Sequence, residues 1–175
     1  MPLKKTPKKA ISIALPPPGT VNLLPVRFAR QEQSNWCWAA CCQMVFAYYG
    51  TNVRQCEMAS FNFGAACCQS PSSSACNQGS WPEKIYQHWG SRCSRSSGAF
   101  SLATLQTEIN NGRPIEPYYA WSSNGAHVAV VIGYYDNGDL SVSDPYYGPG
   151  RRSYNNVLTA YGMGRWSMTF HDLRR

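Results

Sequence analysis

Apolar positions along the chain change period about two-thirds of the way through. Between Ser34 and Gly50, Trp38, Cys41 or Cys42, Val45 and Tyr49 recur at steps of three and four, the spacing of one helical face. Ser34 and Asn35 are of the type that caps a helix start, and Gly50 stands where the helix should stop. Residues 51–80 hold four cysteines, many serines and little periodicity, and read as a loop region. Ser80-Trp-Pro-Glu83 has the form of a capping box with Pro82 in the first turn, predicting a short helix to about Trp89. Ser101 caps another helix, with Leu102, Leu105 and Ile109 as its stripe and Gly112 at its end.

From Pro114 the pattern turns to strands. Ile115 to Trp121 predicts a strand that Pro117, lacking an amide donor, assigns to an edge or a bulge. His127 to Tyr135 is a near-continuous apolar, β-branched run and predicts a central strand. Asp136-Asn-Gly-Asp139 is a hairpin turn, Leu140 to Asp144 the returning strand, and the alternating Arg165 to Phe170 a further strand. A helical half followed by an antiparallel half makes an α+β domain. There is no internal repeat.

Composition narrows the class. A chain of 175 residues with 43% apolar and 13% aromatic residues is one domain with a real core. The net charge of +7 is concentrated in Lys4, Lys5, Lys8 and Lys9, in Arg151 and Arg152, and in Arg174 and Arg175. Basic tails without a recognition motif argue against nucleic acid, although an anionic surface such as a cell wall suits them. Residues 1–25, rich in Lys and Pro, read as a flexible arm, leaving 26–175 as the domain. No apolar run approaches the ~20 residues of a membrane span, and Ala10 to Leu15 is too short for a signal-peptide core.

The eight cysteines (Cys37, Cys41, Cys42, Cys56, Cys67, Cys68, Cys76, Cys93) all precede residue 94, a density that favours disulfides and an oxidising destination. A zinc site is the rival reading, but paired C-x2-C spacings are missing. Adjacent Cys67 and Cys68 need different partners, from among Cys42, Cys56, Cys76 and Cys93. The expectation is a monomer that is secreted or delivered into a target cell, with no visible signal peptide.

Cys37 falls in the first turn of the first helix, where free N–H groups and the helix dipole favour a thiolate. The competing reading is a buried structural cysteine. A nucleophilic thiol needs a base and a group to orient it. Of three histidines, His88 lies in an amphipathic helix and His171 in the C-terminal tail, whereas His127 opens the strongest strand after a turn. The hairpin that follows returns Asp144 alongside it. Gln31, six residues before Cys37, is a neutral donor for an oxyanion, with Gln33 a second candidate. Trp36, Trp38, Trp121, Tyr146 and Tyr147 are either cleft walls or core.

Cys37-Trp-Ala-Ala with Gln31 before it, Gly125-Ala-His127-Val-Ala-Val-Val-Ile-Gly-Tyr, and Ser143-Asp144-Pro-Tyr together resemble the papain-like cysteine proteases, over residues 26–170. The nearest branch is the small bacterial one of AvrRpt2-type effector proteases, with the bacteriocin-processing peptidases more distant. Asn-Trp-Cys-Trp replaces the usual Gly-Ser-Cys-Trp, and Cys37 and His127 are closer than the ~130–150 residues of plant and lysosomal enzymes. The resemblance implies a helical lobe packed on an antiparallel sheet lobe with a cleft between. It further implies a Cys37–His127–Asp144 triad, Gln31 in the oxyanion hole, no metal or other cofactor, and a protein or peptide substrate cut through a thioester. A peptidoglycan amidase of the NlpC/P60 kind and an inactive papain-like binding module are the alternatives.

Overall fold

The computed structural model describes residues 19–175. In chain order the elements are β1 (Thr20–Leu23), α1 (Cys37–Tyr48), α2 (Gln55–Phe63), α3 (Glu83–His88), β2 (Arg92–Ser97) and α4 (Leu102–Asn110). There follow β3 (Glu116–Trp121), β4 (Ala126–Val128), β5 (Val130–Tyr135), β6 (Leu140–Asp144) and β7 (Gly148–Arg152). The chain ends with α5 (Tyr154–Leu158), a 3-10 turn at Ala160–Gly162, and β8 (Gly164–Arg174). This is the expected α+β arrangement of an N-terminal helical lobe on a C-terminal antiparallel lobe.

The strands form two four-stranded antiparallel sheets, ordered β1-β5-β6-β7 and β2-β8-β3-β4. The run expected to be one central strand, His127 to Tyr135, is broken at Ala129: β4 pairs with β3 in one sheet and β5 with β1 and β6 in the other. An Ile115–Val131 bridge, with N–H···O distances of 3.1 and 2.7 Å, joins the sheets beside the break. An unbroken apolar pattern does not reveal such a crossing, because both segments are buried.

Several expectations are corrected. Pro117 does not mark an edge, since β3 lies between β8 and β4, but the β3–β8 register does slip beside it, between Tyr118 and Tyr119. The Pro117 carbonyl accepts the Ala129 N–H, on the β4 side. A residue's N–H and C=O share one side in an antiparallel strand, so the missing donor faces beyond the short β4 and not the β8 ladder. Residues 51–80 are not all loop: α2 lies within them, opened by the Glu57 carboxylate accepting the Arg54 N–H and ended at Gly64 with φ +65°. Only Gln55, Met58 and Ala59 of α2 are buried, too few for a visible stripe. Among the described residues the polar β2 pairs with β8 alone, as an edge strand, and it likewise carries no hydrophobic alternation. Of the expected arm, residues 1–18 lie outside the described residues, and residues 20–23 are a strand of the domain.

α1 is buried on nearly every side, which is why its apolar content exceeds one stripe. Neither Ser34 nor Asn35 caps it; Trp36 holds that position without a side-chain hydrogen bond. Both polar residues are taken by Asn77 instead. The Ser34 Oγ accepts from the Asn77 amide at 2.8 Å, and Asn35 donates its backbone and side-chain N–H groups to Asn77 at 3.0 and 2.9 Å. Ser80 similarly gives way to Pro82 at the start of α3, whereas Ser101 caps α4 as expected, accepting the Thr104 N–H. Disulfides Cys56–Cys68 and Cys67–Cys76 staple the segment after α2, so the adjacent cysteines do take different partners. Cys37, Cys41, Cys42 and Cys93 are free.

Candidate active site

Cys37 is the first residue of α1, half-buried, at the end of the helix where backbone N–H groups lack intrahelical partners. Its surroundings are fixed by the stapled loop. The indole N–H groups of Trp36 and Trp38 donate to the carbonyls of Cys76 and Gln78 at 2.9 and 3.0 Å. These bonds clamp both neighbours of Cys37 and leave Gly79, Ser80 and Trp81 lining the cleft beside it.

His127 reaches the same cleft from β4. Its ring nitrogen Nε2 lies 2.9 and 3.0 Å from the two Asp144 carboxylate oxygens, on the β6 return strand. Val130 pairs with Ser143, so the strand break at Ala129 sits at the level of Asp144 and turns His127 back over the carboxylate. Trp121 stacks on the imidazole at 5.6 Å and 15°, and Tyr147 meets it edge-on at 6.1 Å. Burial alone would lower the His127 pKa, but the hydrogen bonds and charges of Asp144 and the adjacent Cys37 outweigh it and push it up to about 9.

Asp144 is 1% exposed and fully occupied. Besides His127 it accepts the backbone N–H groups of Tyr146 and Tyr147, both at 2.9 Å, and the Tyr161 hydroxyl at 2.9 Å. Burial would raise its carboxyl, yet the His127 hydrogen bond and charge, helped by those N–H groups, hold it below the usual carboxylate range. At neutral pH the pair is therefore an imidazolium on a carboxylate.

Gln31 is brought in by the chain before α1. Its N–H donates to the Pro145 carbonyl at 3.1 Å, and Arg30 Nη1 to the Tyr146 carbonyl at 2.9 Å. The buried Gln55 of α2 holds the same segment, accepting the Glu32 N–H and donating to the Arg30 carbonyl. The Gln31 side chain lines the cleft with Cys37 and His127, and its amide donates to the carbonyls of Gln33 and Ser34 at 2.9 and 2.8 Å. Gln33 contributes that carbonyl rather than its own side chain.

Three of the four predicted residues, Gln31, Cys37 and His127, thus line one cleft with two branches, and Asp144 is buried behind His127. A narrower apolar branch of about 200 Å³ is walled by Trp38, Trp81, Tyr118 and Val128. A wider one of about 470 Å³ runs past Gln31, Trp121, Tyr146 and Tyr147. Of the five aromatics named from the sequence, Trp36 is core, and the other four face one branch or the other. Trp81 and Tyr118, stacked at 5.1 Å and 19°, were not anticipated, nor was Tyr161. Each lies on an element or turn whose proximity to Cys37 depends on the fold. His88 and His171 stand elsewhere: His88 stacks on Phe61, and His171 pairs with Ser96.

Comparison with known proteins bears on the fold and the family. Solved structures share the fold at low identity. A double glycine motif protease from an AMS/PCAT transporter, in complex with its leader peptide, has a TM-score of 0.58 at 18% identity, covering 89% of this chain and 96% of that one. The peptidase domain of Streptococcus ComA, a bi-functional ABC transporter of a quorum sensing pathway, has a TM-score of 0.59 at 17% identity, covering 83% and 97%. A putative C39-like peptidase from Bacillus anthracis has a TM-score of 0.60 at 13% identity, covering 87% and 96%. No curated protein matches the chain. The expected likeness to papain-like cysteine peptidases holds, with C39 peptidases as neighbours and not the AvrRpt2 type in particular. With residues 23–170 matched, the chain belongs to the Peptidase_C39 like family.

Proposed function

We propose that this protein is a cysteine endopeptidase in which Cys37 is the nucleophile, His127 the acid and base, and Asp144 the group that orients His127. The observation that carries the reading is His127 held between a buried carboxylate and a half-exposed thiol at a helix start. With Nε2 bonded to Asp144, Nδ1 is left for Cys37. The Cys37 thiolate attacks the substrate carbonyl carbon, forming the C–S bond and moving the π electrons onto oxygen. Collapse of that intermediate breaks the C–N bond, and His127 gives its proton to the departing amine. His127 then takes a proton from water, whose oxygen attacks the thioester and releases the Cys37 thiolate.

The oxyanion is met by the Cys37 backbone N–H and by Gln31, each such donor contributing on the order of 10²–10³ in rate. Gln31 spends its amide protons on the Gln33 and Ser34 carbonyls at rest, so one of those bonds yields as charge develops. The substrate is an extended peptide. The transporter protease is named for a double glycine motif, whereas the apolar branch here has room for an apolar side chain beside the scissile bond.

The test is casein and peptide cleavage together with labelling by a peptidyl epoxide. Wild type should cleave and label on Cys37, and Cys37→Ala and His127→Ala should lose at least a thousandfold in turnover. Release of stem peptides from peptidoglycan without casein cleavage would replace the endopeptidase by an amidase. Absence of both reactions in reduced wild type would leave an inactive binding module.

A further inference from the structure

Tyr161 stands in the 3-10 turn between α5 and β8 with φ +61° and ψ 28°, and Ala160 before it has φ +47°. Two successive side-chain-bearing residues in the left-handed region are uncommon, and a bulky aromatic there is a marked outlier. The turn is held by its own hydrogen bonds and by one from outside it. The Thr159 carbonyl accepts the N–H groups of Gly162 and Gly164 at 2.9 and 3.1 Å, Ser122 donates to the Met163 carbonyl at 2.9 Å, and Ala160 is fully buried. Gly162 follows at φ +82°, so the sequence places glycine in this turn yet keeps tyrosine beside it. The Tyr161 hydroxyl donates to Asp144 Oδ2 at 2.9 Å, opposite the two backbone N–H groups that hold Oδ1. Its ring is edge-on to Tyr119 at 5.4 Å and Tyr147 at 5.7 Å.

We infer that Tyr161 is a positioning residue for the cleavage reaction: its hydroxyl fixes Oδ2, so that the Asp144 carboxylate presents one orientation and a tempered basicity to His127. The inference rests on the catalytic reading proposed above. Without the hydroxyl, Oδ2 keeps only His127 as a partner, its negative charge is less shared, and the imidazolium is held to higher pH. The titratable groups facing this pair are Cys37 and Cys41 on α1, Tyr119 on β3, Tyr147 after β6, and Tyr161 itself. The Arg152 guanidinium lies over the Tyr161 ring at 5.7 Å as a fixed charge.

The experiment is the pH dependence of Cys37 alkylation by iodoacetamide, read on the Cys37 peptide by mass spectrometry, alongside peptide turnover. Wild type should show a His127-dependent plateau of reactivity ending near pH 9, absent in His127→Ala. Tyr161→Phe keeps the ring. It should move the end of the plateau upward by about half a unit and lower kcat about tenfold at unchanged KM, as expected for one hydrogen bond to a charged group. Tyr161→Asn suits the left-handed backbone, lacks the reach, and should behave alike. If both variants lose turnover with the plateau unmoved, or lose nothing, Tyr161 is a structural residue only and the inference fails. If wild-type Cys37 alkylates as an ordinary thiol indifferent to His127, the catalytic reading itself fails, a result distinct from the first.

Discussion

His127 shows how a single residue owes its charge to its neighbours. Burial opposes its charge, and only the Asp144 carboxylate and the nearby thiol keep it protonated up to about pH 9. Asp144→Asn isolates that effect, because an amide oxygen still accepts the Tyr146 and Tyr147 N–H groups while the charge is lost. The raised pKa should relax toward about 6.5. The alkaline limb of activity should then fall by as much as two units, with kcat/KM down about a hundredfold or more. A kcat/KM profile against pH with a short peptide checks this; an alkaline limb still near 9 would show that Asp144 does not set the charge of His127.

Among the elements, the loop stapled by Cys56–Cys68 and Cys67–Cys76 connects redox state to the cleft. It delivers Asn77 to Ser34 and Asn35, the Cys76 and Gln78 carbonyls to the two tryptophans beside Cys37, and Trp81 to the apolar wall. Replacing Cys67 and Cys76 together by Ser opens a short loop, worth about 2–3 kcal/mol of stability in the chain-entropy picture. Because the change acts through Gly79, Ser80 and Trp81, KM for an extended peptide should rise severalfold while the alkylation rate of Cys37 stays close to wild type. Reductant should do the same to the wild-type protein, loosening the substrate wall while the free Cys37 thiol is unchanged. An alkylation rate that collapsed with the disulfide would place the loop in control of the thiol instead. The glycine opening β8 contributes at the same scale. A Cβ on Gly164 would lie 2.1 Å from the Ala120 carbonyl oxygen, so the close β3–β8 approach beneath Trp121 tolerates no side chain there.

For the whole molecule, the buried titratable groups set how stability follows pH. Glu116 opens β3 fully buried, hydrogen-bonded by the Tyr86 hydroxyl, and burial pushes its carboxyl up to about 8. A raised carboxyl pKa means the folded state binds the extra proton between about 4.5 and 8, so stability falls as pH rises through that window. His127 acts in the same direction: its stabilisation is complete below about 6.5 and is lost as pH rises through about 9. Asp144, held low, contributes above its usual pKa and loses that contribution only on strong acidification. Stability should therefore peak in mildly acidic solution. Glu116→Gln should flatten the decline above pH 5 and raise Tm at pH 8, each kcal/mol recovered being worth about 2–4 °C. Thermal denaturation from pH 4 to 9 tests this, and parallel wild-type and variant curves would show that Glu116 is ionised in the fold at no cost.

The helices α1 and α4, the hairpin from β5 to β6 and the triad candidates were legible in the sequence because local signals sufficed: a period of 3.6, a turn dipeptide, one histidine at a strand start, one acid at the returning end. Elements with few buried residues, α2 and the polar β2, left no such signal. Contacts between distant segments decided the remainder. Asn77 took Ser34 and Asn35 from their capping role, the break at Ala129 sent one apolar run into two sheets, and a strained turn carried Tyr161 to Asp144. Cys37 stands out in the sequence by its place at the start of a helix. What the tertiary structure alone decides is that a base, a carboxylate and a stapled loop surround this one thiol, since their proximity is a property of packing and not of spacing along the chain.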